Sequence, residues 1–194
     1  MSIREIPNLN PAKTALLMID MQKAFVEPGA ALCIQGAKAT VPACAAAVRE
    51  ARALGVRVLW IKREYAEDGS DMEPPRRRML EEMGVRGVLA PGSTGVNSVE
   101  EPEGLSRLDD ETVIIKKRWS AFWETDLDEI LKAAGVDTLL LAGTTTPNCV
   151  RTTCYDGIAL GYRTIVLARC TSSMTDDIQY ANLEDMRRAG AEIR

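Results

Sequence analysis

Residues 138–149, TLLLAGTTTPNC, join an apolar run to a tight turn and the predicted start of a helix. The run Thr138–Ala142 is continuous rather than alternating, which is typical of a strand covered on both faces of a parallel sheet. Gly143 and Pro147 then mark a turn. This stretch therefore predicts a strand–turn–helix unit of an α/β protein.

Similar apolar runs alternate with helical patterns along the whole chain. The predicted strands are Thr14–Asp20, Val56–Lys62, Thr112–Lys116, Thr138–Ala142 and Thr164–Ala168, with a short last strand at Ala191–Ile193. The predicted helices cover about residues 41–54, 75–83, 125–134, 148–160 and 178–189, and residues 90–111 form a long loop. This alternation predicts an α/β fold: one domain over residues 1–194, with a Rossmann-like open parallel sheet of five to six strands and helices on both faces.

Two of these helices have predicted N-terminal signals. Thr125, with Asp128 three residues later, resembles a capping box, and Gly135 marks the stop of the same helix. Asp176 and Asp177 are interpreted as caps of the last helix rather than as paired catalytic carboxylates.

Composition and charge exclude several classes of function. The chain has 194 residues, of which 46% are hydrophobic and 27% are charged, as in folded globular domains. Its net charge is −4, and the one basic cluster, 76–78, is interpreted as a solvated helix face beside Glu81 and Glu82. We therefore expect a small-molecule substrate and no nucleic-acid partner.

The chain contains no histidine, which excludes Ser-His-Asp triads, Cys-His pairs and H-E-x-x-H zinc sites. Its five cysteines show no C-x-x-C spacing, so we expect reduced thiols and no cysteine zinc site. The N-terminus has no apolar signal region, and no run approaches the roughly 20 apolar residues of a membrane span. These features predict a cytoplasmic protein with no membrane partner. Nucleotide-binding and serine-hydrolase motifs are also absent, and we expect no cofactor.

Reactive side chains fall where three predicted strands end. Asp20 ends the first strand, Lys116 ends the third, and Cys149 follows the fourth at the start of a helix. Ligands of open parallel sheets bind outside the carboxyl ends of the strands, so we expect these groups to converge. A helix N-terminus favours a thiolate, Asp20 can accept the thiol proton, and Lys116 can stabilise both charges. Each residue also has an ordinary structural interpretation, as a small buried residue, a turn residue or a solvated cation.

Three segments resemble the isochorismatase-like cysteine hydrolase family. They are ALLMIDMQKAF at 15–25, VIIKKRWSAFWETDLDEIL at 113–131 and GTTTPNCVRTTCYDGIALGY at 143–162. The resemblance implies a catalytic triad of Asp20, Lys116 and Cys149. It also implies a cis peptide between Thr144 and Thr145, an oxyanion hole made by the N–H groups of Thr145 and Cys149, and a homo-oligomer. Lys116 rather than Lys117 occupies the motif position, and Phe25, Trp119 and the region around Arg63 are candidates for the substrate pocket.

The chain departs from the family pattern at several places. Nicotinamidases of the family bind a metal through an Asp and two His, so the absence of histidine predicts no metal here. Isochorismatases proper lack the cysteine nucleophile, so Cys149 favours cleavage of a C–N bond. Arg169 and Cys170 replace the Asp-Ala that usually follows the fifth strand, and Trp119 replaces a Tyr.

The sequence thus predicts a cysteine amidohydrolase that acts on a small amide, carbamate or ureido compound through a thioester. Two alternatives stay open. One is isochorismatase-type hydrolysis of a vinyl ether led by Asp20. The other is a non-enzymatic thiol sensor in which Cys149 is oxidised and Cys154 resolves it, although five residues of helix place these side chains roughly 140° apart.

Overall fold

The computed structural model describes residues 2–194 and contains one six-stranded sheet with helices on both faces. The strands are β1 (Thr14–Ile19), β2 (Arg57–Arg63), β3 (Thr112–Lys116), β4 (Thr138–Thr144), β5 (Arg163–Ser172) and β6 (Glu192–Ile193). The α-helices are α1 (Lys23–Val26), α2 (Ala37–Leu54), α3 (Pro74–Glu82), α4 (Leu127–Ala133), α5 (Arg151–Ala159) and α6 (Asp176–Arg188). All strand pairs are parallel, in the order β3-β2-β1-β4-β5-β6. The predicted α/β fold is confirmed.

The two central strands, β1 and β4, are buried along their whole length. Along β1, Leu16 and Met18 face a core shared with α2, whereas Leu17 and Ile19 face a second core shared with α4, α5 and α6. Successive side chains of a strand point to opposite faces, and here both faces are covered. This explains why the apolar runs in the sequence are continuous.

The strand order reverses direction between β1 and β4, which places a crevice at their carboxyl ends. Gly143 of β4 pairs with Ile19 of β1 there. A Cβ atom on Gly143 would lie 1.9 Å from the carbonyl oxygen of Ile19, and the glycine has a φ of +115°. Only glycine allows the two strands to approach this closely beside Asp20.

The long predicted loop lies against α1. It contains a short 3₁₀ helix at Gly95–Asn97. The N–H of Ala24 donates to the carbonyl of Ser98 at 3.1 Å, and the N–H of Lys23 donates to that of Glu100 at 2.8 Å. The loop is therefore anchored to the segment that follows Asp20.

Strand β5 is longer than the apolar run 164–168 indicates. Its pairing with β4 moves from Leu141↔Val166 to Gly143↔Thr171, so residues 167–170 of β5 lie opposite the single residue Ala142 of β4. Arg169 lies in this bulge. Hydrophobicity does not reveal such a bulge, because the extra residues are not paired in the ladder.

The start of helix α2 also differs from the prediction. Helix α2 begins at Ala37 and contains Pro42 in its second turn, because both Ala37 and Val41 pack into the core. The loss of one helical hydrogen bond at the proline is tolerated there.

The predicted capping box at Thr125 is wrong. The hydroxyl of Thr125 donates to the carbonyl of Ala121 at 2.5 Å and accepts the N–H of Leu127 at 3.4 Å, whereas a capping box would bond it to the N–H of Asp128. Helix α4 begins only at Leu127, and the side chain of its N-cap residue, Asp126, makes no capping hydrogen bond. Asp128 instead accepts hydrogen bonds from Lys132 and Tyr162. In a capping box the Asp128 carboxylate would accept a backbone N–H, but here it is bonded to Lys132 of the same helix and to Tyr162 outside it.

The last helix is capped by Thr175, whose hydroxyl oxygen accepts the N–H of Ile178 at 3.3 Å. Asp176 and Asp177 lie in the first turn of α6, where negative charge suits the helix dipole. The capping side chain is therefore the residue before the predicted pair.

Candidate active site

Asp20 directly follows β1 and is 1% exposed. Its backbone has a φ of +51°, a left-handed conformation that aspartate tolerates better than most residues. Its N–H donates to the carbonyl of Ile61 at 2.8 Å, and its carbonyl accepts the N–H of Gln22 at 2.8 Å. These bonds hold the carboxyl group at the carboxyl end of the central strands.

Lys116 is the last residue of β3, and its side chain is completely buried. Its Nζ lies 2.8 Å from Oδ2 of Asp20, 3.5 Å from Sγ of Cys149 and 3.1 Å from the carbonyl oxygen of Arg118. An ammonium has three N–H donors, and these three contacts can use all of them. The neighbouring Lys117 points elsewhere and pairs with Asp71 at 2.9 Å.

Cys149 lies on a π-helical turn, Thr146–Val150, between β4 and α5. The peptide bond between Thr144 and Thr145 is cis. The carbonyl of Thr145 accepts the N–H groups of Asn148 and Val150, each at 3.2 Å. The predicted helix start near Asn148 is therefore a wider turn, and regular α-helix begins only after the cysteine.

Ser172 of β5 anchors the threonines of this segment. Its hydroxyl donates to that of Thr144 at 2.9 Å, and its carbonyl accepts the hydroxyl of Thr146 at 2.9 Å. The hydroxyl of Thr145 donates to the same carbonyl at 3.2 Å. Three consecutive threonines are thus fixed against the neighbouring strand, which holds the backbone beside Cys149 in one conformation.

Burial raises the pKa of the Cys149 thiol, and the adjacent Asp20 carboxylate raises it further. The cations of Lys116 and Arg63 lower this pKa but do not outweigh the other two effects. The net direction is opposite to the lowering expected from a helix N-terminus. The cysteine lies on a buried π-turn, where loss of hydration dominates.

A cavity of about 140 Å³ opens beside the sulfur. Its wall includes Asp20, Thr144, Thr145 and Cys149. The other lining residues are Phe25, Leu32, Ile34, Arg63, Arg76, Trp119 and Asn148. The cavity is small, so it suits a substrate with few heavy atoms.

A family model described as Isochorismatase domain matches residues 14–194. The chain belongs to the isochorismatase family. The match begins at the first residue of β1 and so includes all six strands.

Similar proteins support this assignment. An Arabidopsis thaliana protein named as a probable inactive nicotinamidase is 39% identical over 181 residues, covering 92% of this chain and 90% of the relative. Maleamate amidohydrolase of Pseudomonas putida is 34% identical over 181 residues, covering 90% of this chain and 79% of the relative. The crystal structure of an isochorismatase family protein from Desulfovibrio vulgaris is 40% identical, has a TM-score of 0.87 and covers 93% of both chains. The chain is thus a hydrolase of a family that includes amidohydrolases.

A second set of charged and polar groups supports the site of this isochorismatase-family hydrolase. Arg63, the last residue of β2, is 1% exposed, and its Nη1 lies 4.0 Å from Sγ of Cys149. Its Nη2 donates to Glu73 at 2.6 Å and to the carbonyl of Lys117 at 3.1 Å, and its Nε donates to the hydroxyl of Tyr65. The guanidinium is therefore fixed by protein partners close to the thiol.

Arg76 was missed by the sequence analysis, which placed the whole cluster 76–78 on a solvated face. Arg77 and Arg78 are exposed, but Arg76 is half-buried and lines the cavity with Cys149. Successive residues of a helix point about 100° apart, so three adjacent arginines cannot share one environment. Leu80, four residues after Arg76 on α3, belongs to an apolar cluster with Phe25 and Tyr65. The apolar residue at this i, i+4 spacing is the sequence signal that could have placed Arg76 on the inward face.

Phe25 and Trp119 both line the cavity, and their predicted role in binding substrate stays a prediction.

Among residues 2–194, no three His, Cys, Asp or Glu side chains form a group that could hold a metal ion. Within the same range, no helix is both long and apolar enough to cross a membrane.

Proposed function

We propose that this chain is a cysteine-dependent amidohydrolase that cleaves the C–N bond of a small amide, carbamate or ureido compound. The observation that carries the proposal is the position of Lys116, whose ammonium lies 2.8 Å from Asp20 and 3.5 Å from Cys149 inside a buried site. A nucleophile, a base and a cation that can hold both in their charged forms are the components of a thiol hydrolase that lacks histidine.

In the first step, Asp20 takes the thiol proton and the sulfur of Cys149 attacks the carbonyl carbon. The C=O electron pair moves to oxygen, and the N–H groups of Thr145 and Cys149 bind the resulting oxyanion. Asp20 then returns the proton to the nitrogen, the C–N bond breaks, and ammonia or an amine leaves from a thioester.

In the second step, water attacks the thioester. Asp20 accepts a proton from the water, and the C–S bond breaks to release a carboxylic acid and the thiol. The sum is one amide plus one water giving one acid and one amine, so no oxidant or reductant is needed. Phe25 and Trp119 line the cavity in which the thioester would form.

The direction of the thiol pKa supports a role for a base. Because burial raises the pKa of Cys149, the thiol form is favoured and the sulfur must lose its proton during the reaction. Oδ1 of Asp20 is buried and has no hydrogen-bond partner among residues 2–194, so it is free to accept that proton.

The relatives favour the same chemistry but differ in one respect. The Pseudomonas putida relative is named as an amidohydrolase, whereas the Arabidopsis relative is named as a probable inactive nicotinamidase. The present chain combines a thiol, a carboxylate and an ammonium within 3.5 Å contacts, and this combination supports an active hydrolase.

The test is ammonia release from a panel of small amides, carbamates and ureido compounds. We expect the wild type to turn over at least one compound and Cys149→Ala to lose that activity by at least about 1000-fold. Cys33→Ala is the matched control, because this cysteine is partly exposed and does not line the cavity. Retention of amide hydrolysis by Cys149→Ala would overturn the proposal.

The two alternative functions predict different results, and each needs one further assay. Ether hydrolysis led by Asp20 would release pyruvate from isochorismate and would survive Cys149→Ala. A thiol sensor would show no hydrolysis and would form a reversible link between Cys149 and Cys154 on peroxide treatment. Burial raises the pKa of Cys154 to about 12, which makes it a poor resolving thiol.

We also expect the chain to form a homo-oligomer, as its resemblance to the family implies. Sedimentation equilibrium would then give a mass that is a multiple of 21.2 kDa. A monomer over the whole concentration range would contradict this expectation.

A further inference from the structure

One of three adjacent arginines on α3 differs from the other two. Arg77 pairs with Glu81 at 2.9 Å on the surface, and Arg78 is exposed to water. Arg76 lines the cavity that contains Cys149, and its Nε is buried without a hydrogen-bond partner among residues 2–194. A buried donor without an acceptor is unfavourable, so this guanidinium lacks a partner that a ligand could supply.

The other charges at the site are already paired. Lys116 pairs with Asp20 at 2.8 Å, and Arg63 pairs with Glu73 at 2.6 Å. Within the described part of the chain, Arg76 forms no salt bridge. The site therefore has two balanced ion pairs and one additional positive charge on the cavity wall.

We propose that Arg76 binds a carboxylate group of the substrate, so that the compound cleaved is a short amide or ureido acid rather than a neutral amide. This inference rests on the proposed amidohydrolase function, because it places the carbonyl of the scissile bond at Cys149. It goes further in naming the chemical class of the substrate and the residue that selects it.

The chemistry of the cavity favours a carboxylate over a larger or more highly charged anion. The planar guanidinium matches the two oxygens of a carboxylate, and a single uncompensated cation balances a single negative charge. Phe25, Leu32 and Ile34 provide apolar contacts for a short carbon chain between the two ends of the substrate. A phosphate dianion would leave one negative charge unpaired close to the Asp20 carboxylate.

The first experiment compares pairs of compounds that differ only in charge. They are the mono-amides of malonic, succinic and glutaric acids, N-carbamoylglycine, and the methyl ester of each. We expect wild-type kcat/KM to be about 10- to 100-fold higher for an acid than for its ester, as expected for one hydrogen bond to a charged group. Arg76→Met should remove this preference by raising KM for the acids much more than KM for the esters.

Two further variants separate recognition from folding. Arg78→Met removes a neighbouring charge from the same helix and should keep the wild-type preference for acids. Arg76→Lys keeps a positive charge without the planar fork and should recover part of the preference. A variant that merely destabilises the protein would lower activity on acids and esters alike.

Calorimetric titration of Cys149→Ala with the same compounds tests binding without turnover. If the wild type hydrolyses none of the compounds but the acids bind in a manner that requires Arg76, the proposed function fails together with the claim about the compound cleaved, whereas Arg76 stands as a carboxylate-binding residue. If hydrolysis occurs but Arg76→Met leaves the ratio of acid to ester unchanged, the inference is overturned and the proposed function stands. If there is neither hydrolysis nor binding that depends on Arg76, both are overturned.

Discussion

Asp20 and Lys116 are 96 residues apart in the sequence and form a buried ion pair with a separation of 2.8 Å. Both partners also act on the thiol of Cys149, but in opposite directions. The carboxylate of Asp20 raises the pKa of that thiol, whereas the ammonium of Lys116 lowers it. Substitutions at the two ends of one ion pair should therefore have opposite effects on cysteine reactivity.

In the wild type, we expect iodoacetamide to alkylate Cys149 slowly at neutral pH. Burial raises the pKa of this thiol, so the protonated form persists where an ordinary thiol of pKa about 8.5 has ionised. The alkylation rate of Cys149 should keep rising above the pH at which N-acetylcysteine, under the same conditions, reaches half its maximum rate. Peptide mass mapping gives this rate, and a plateau already reached at neutral pH would contradict the prediction.

For Asp20→Asn, we expect Cys149 to be alkylated faster than in the wild type at mildly alkaline pH, because a negative charge that raises its pKa is removed. Turnover should nevertheless fall by at least about 100-fold, since the base is lost. Alkylation and substrate hydrolysis are measured on the same preparation. Slower alkylation of Cys149 than in the wild type, with an unchanged circular dichroism spectrum, would contradict the prediction. Misfolding would also speed alkylation because it exposes the buried thiol, so the spectrum is the necessary control.

For Lys116→Met, we expect slower alkylation of Cys149 and a loss of about 3–5 kcal/mol in the free energy of unfolding. The substitution leaves the Asp20 carboxylate buried without its cation. Urea unfolding measures the loss. Lys117→Met is the control and should cost at most about 1 kcal/mol, because it breaks only the partly exposed pair with Asp71. The double variant Asp20→Asn/Lys116→Met should be less destabilised than the sum of the single variants.

For Arg63→Met, we expect a loss of about 3 kcal/mol or more, because the guanidinium is 1% exposed and holds Glu73 and Tyr65. Alkylation of Cys149 should also slow, since a cation that lowers its pKa is removed. Arg77→Met removes a surface pair with Glu81 and should cost no more than about 0.5 kcal/mol. Equal losses of unfolding free energy in Arg63→Met and Arg77→Met would show that Arg63 contributes no more to stability than a surface arginine does.

For Gly143→Ala, we expect a loss of about 3 kcal/mol or more and no measurable turnover. The new Cβ would meet the carbonyl of Ile19 at 1.9 Å, and the backbone has a φ of +115°. At Gly55 the backbone is also left-handed, with a φ of +74°, but a Cβ atom added there would have no neighbouring atom of the described residues within 4 Å. Gly55→Ala should cost only about 1–2 kcal/mol, so the difference between the variants measures the close approach of β1 and β4.

Much of the fold and the centre of the site could be predicted from the sequence. Continuous apolar runs locate the strands, because both faces of the sheet are covered. Strand ends then locate Asp20, Lys116 and the segment before Cys149, since all carboxyl ends of a parallel sheet share one edge. The prediction therefore depended only on local pattern and on a general property of parallel sheets.

Features that depend on packing between distant elements could not be predicted in the same way. The inward direction of Arg76 is set by the packing of Leu80 against Phe25, which the local charge pattern does not reveal. The direction of the Cys149 pKa depends on how completely neighbouring elements exclude water. The bulge that contains Arg169 depends on register against β4, a property of two strands rather than one.

Lys116 belongs to the outermost strand on its side of the sheet. Strand β3 has five residues and pairs only with β2, whereas Asp20 and Cys149 follow the fully buried strands β1 and β4. Edge elements open locally at lower free energy than the centre of a sheet. When β3 frays, the site loses its ammonium while the rest of the molecule stays folded. The upper temperature for turnover would then be set by the order of one short edge strand, below the temperature at which the protein itself melts.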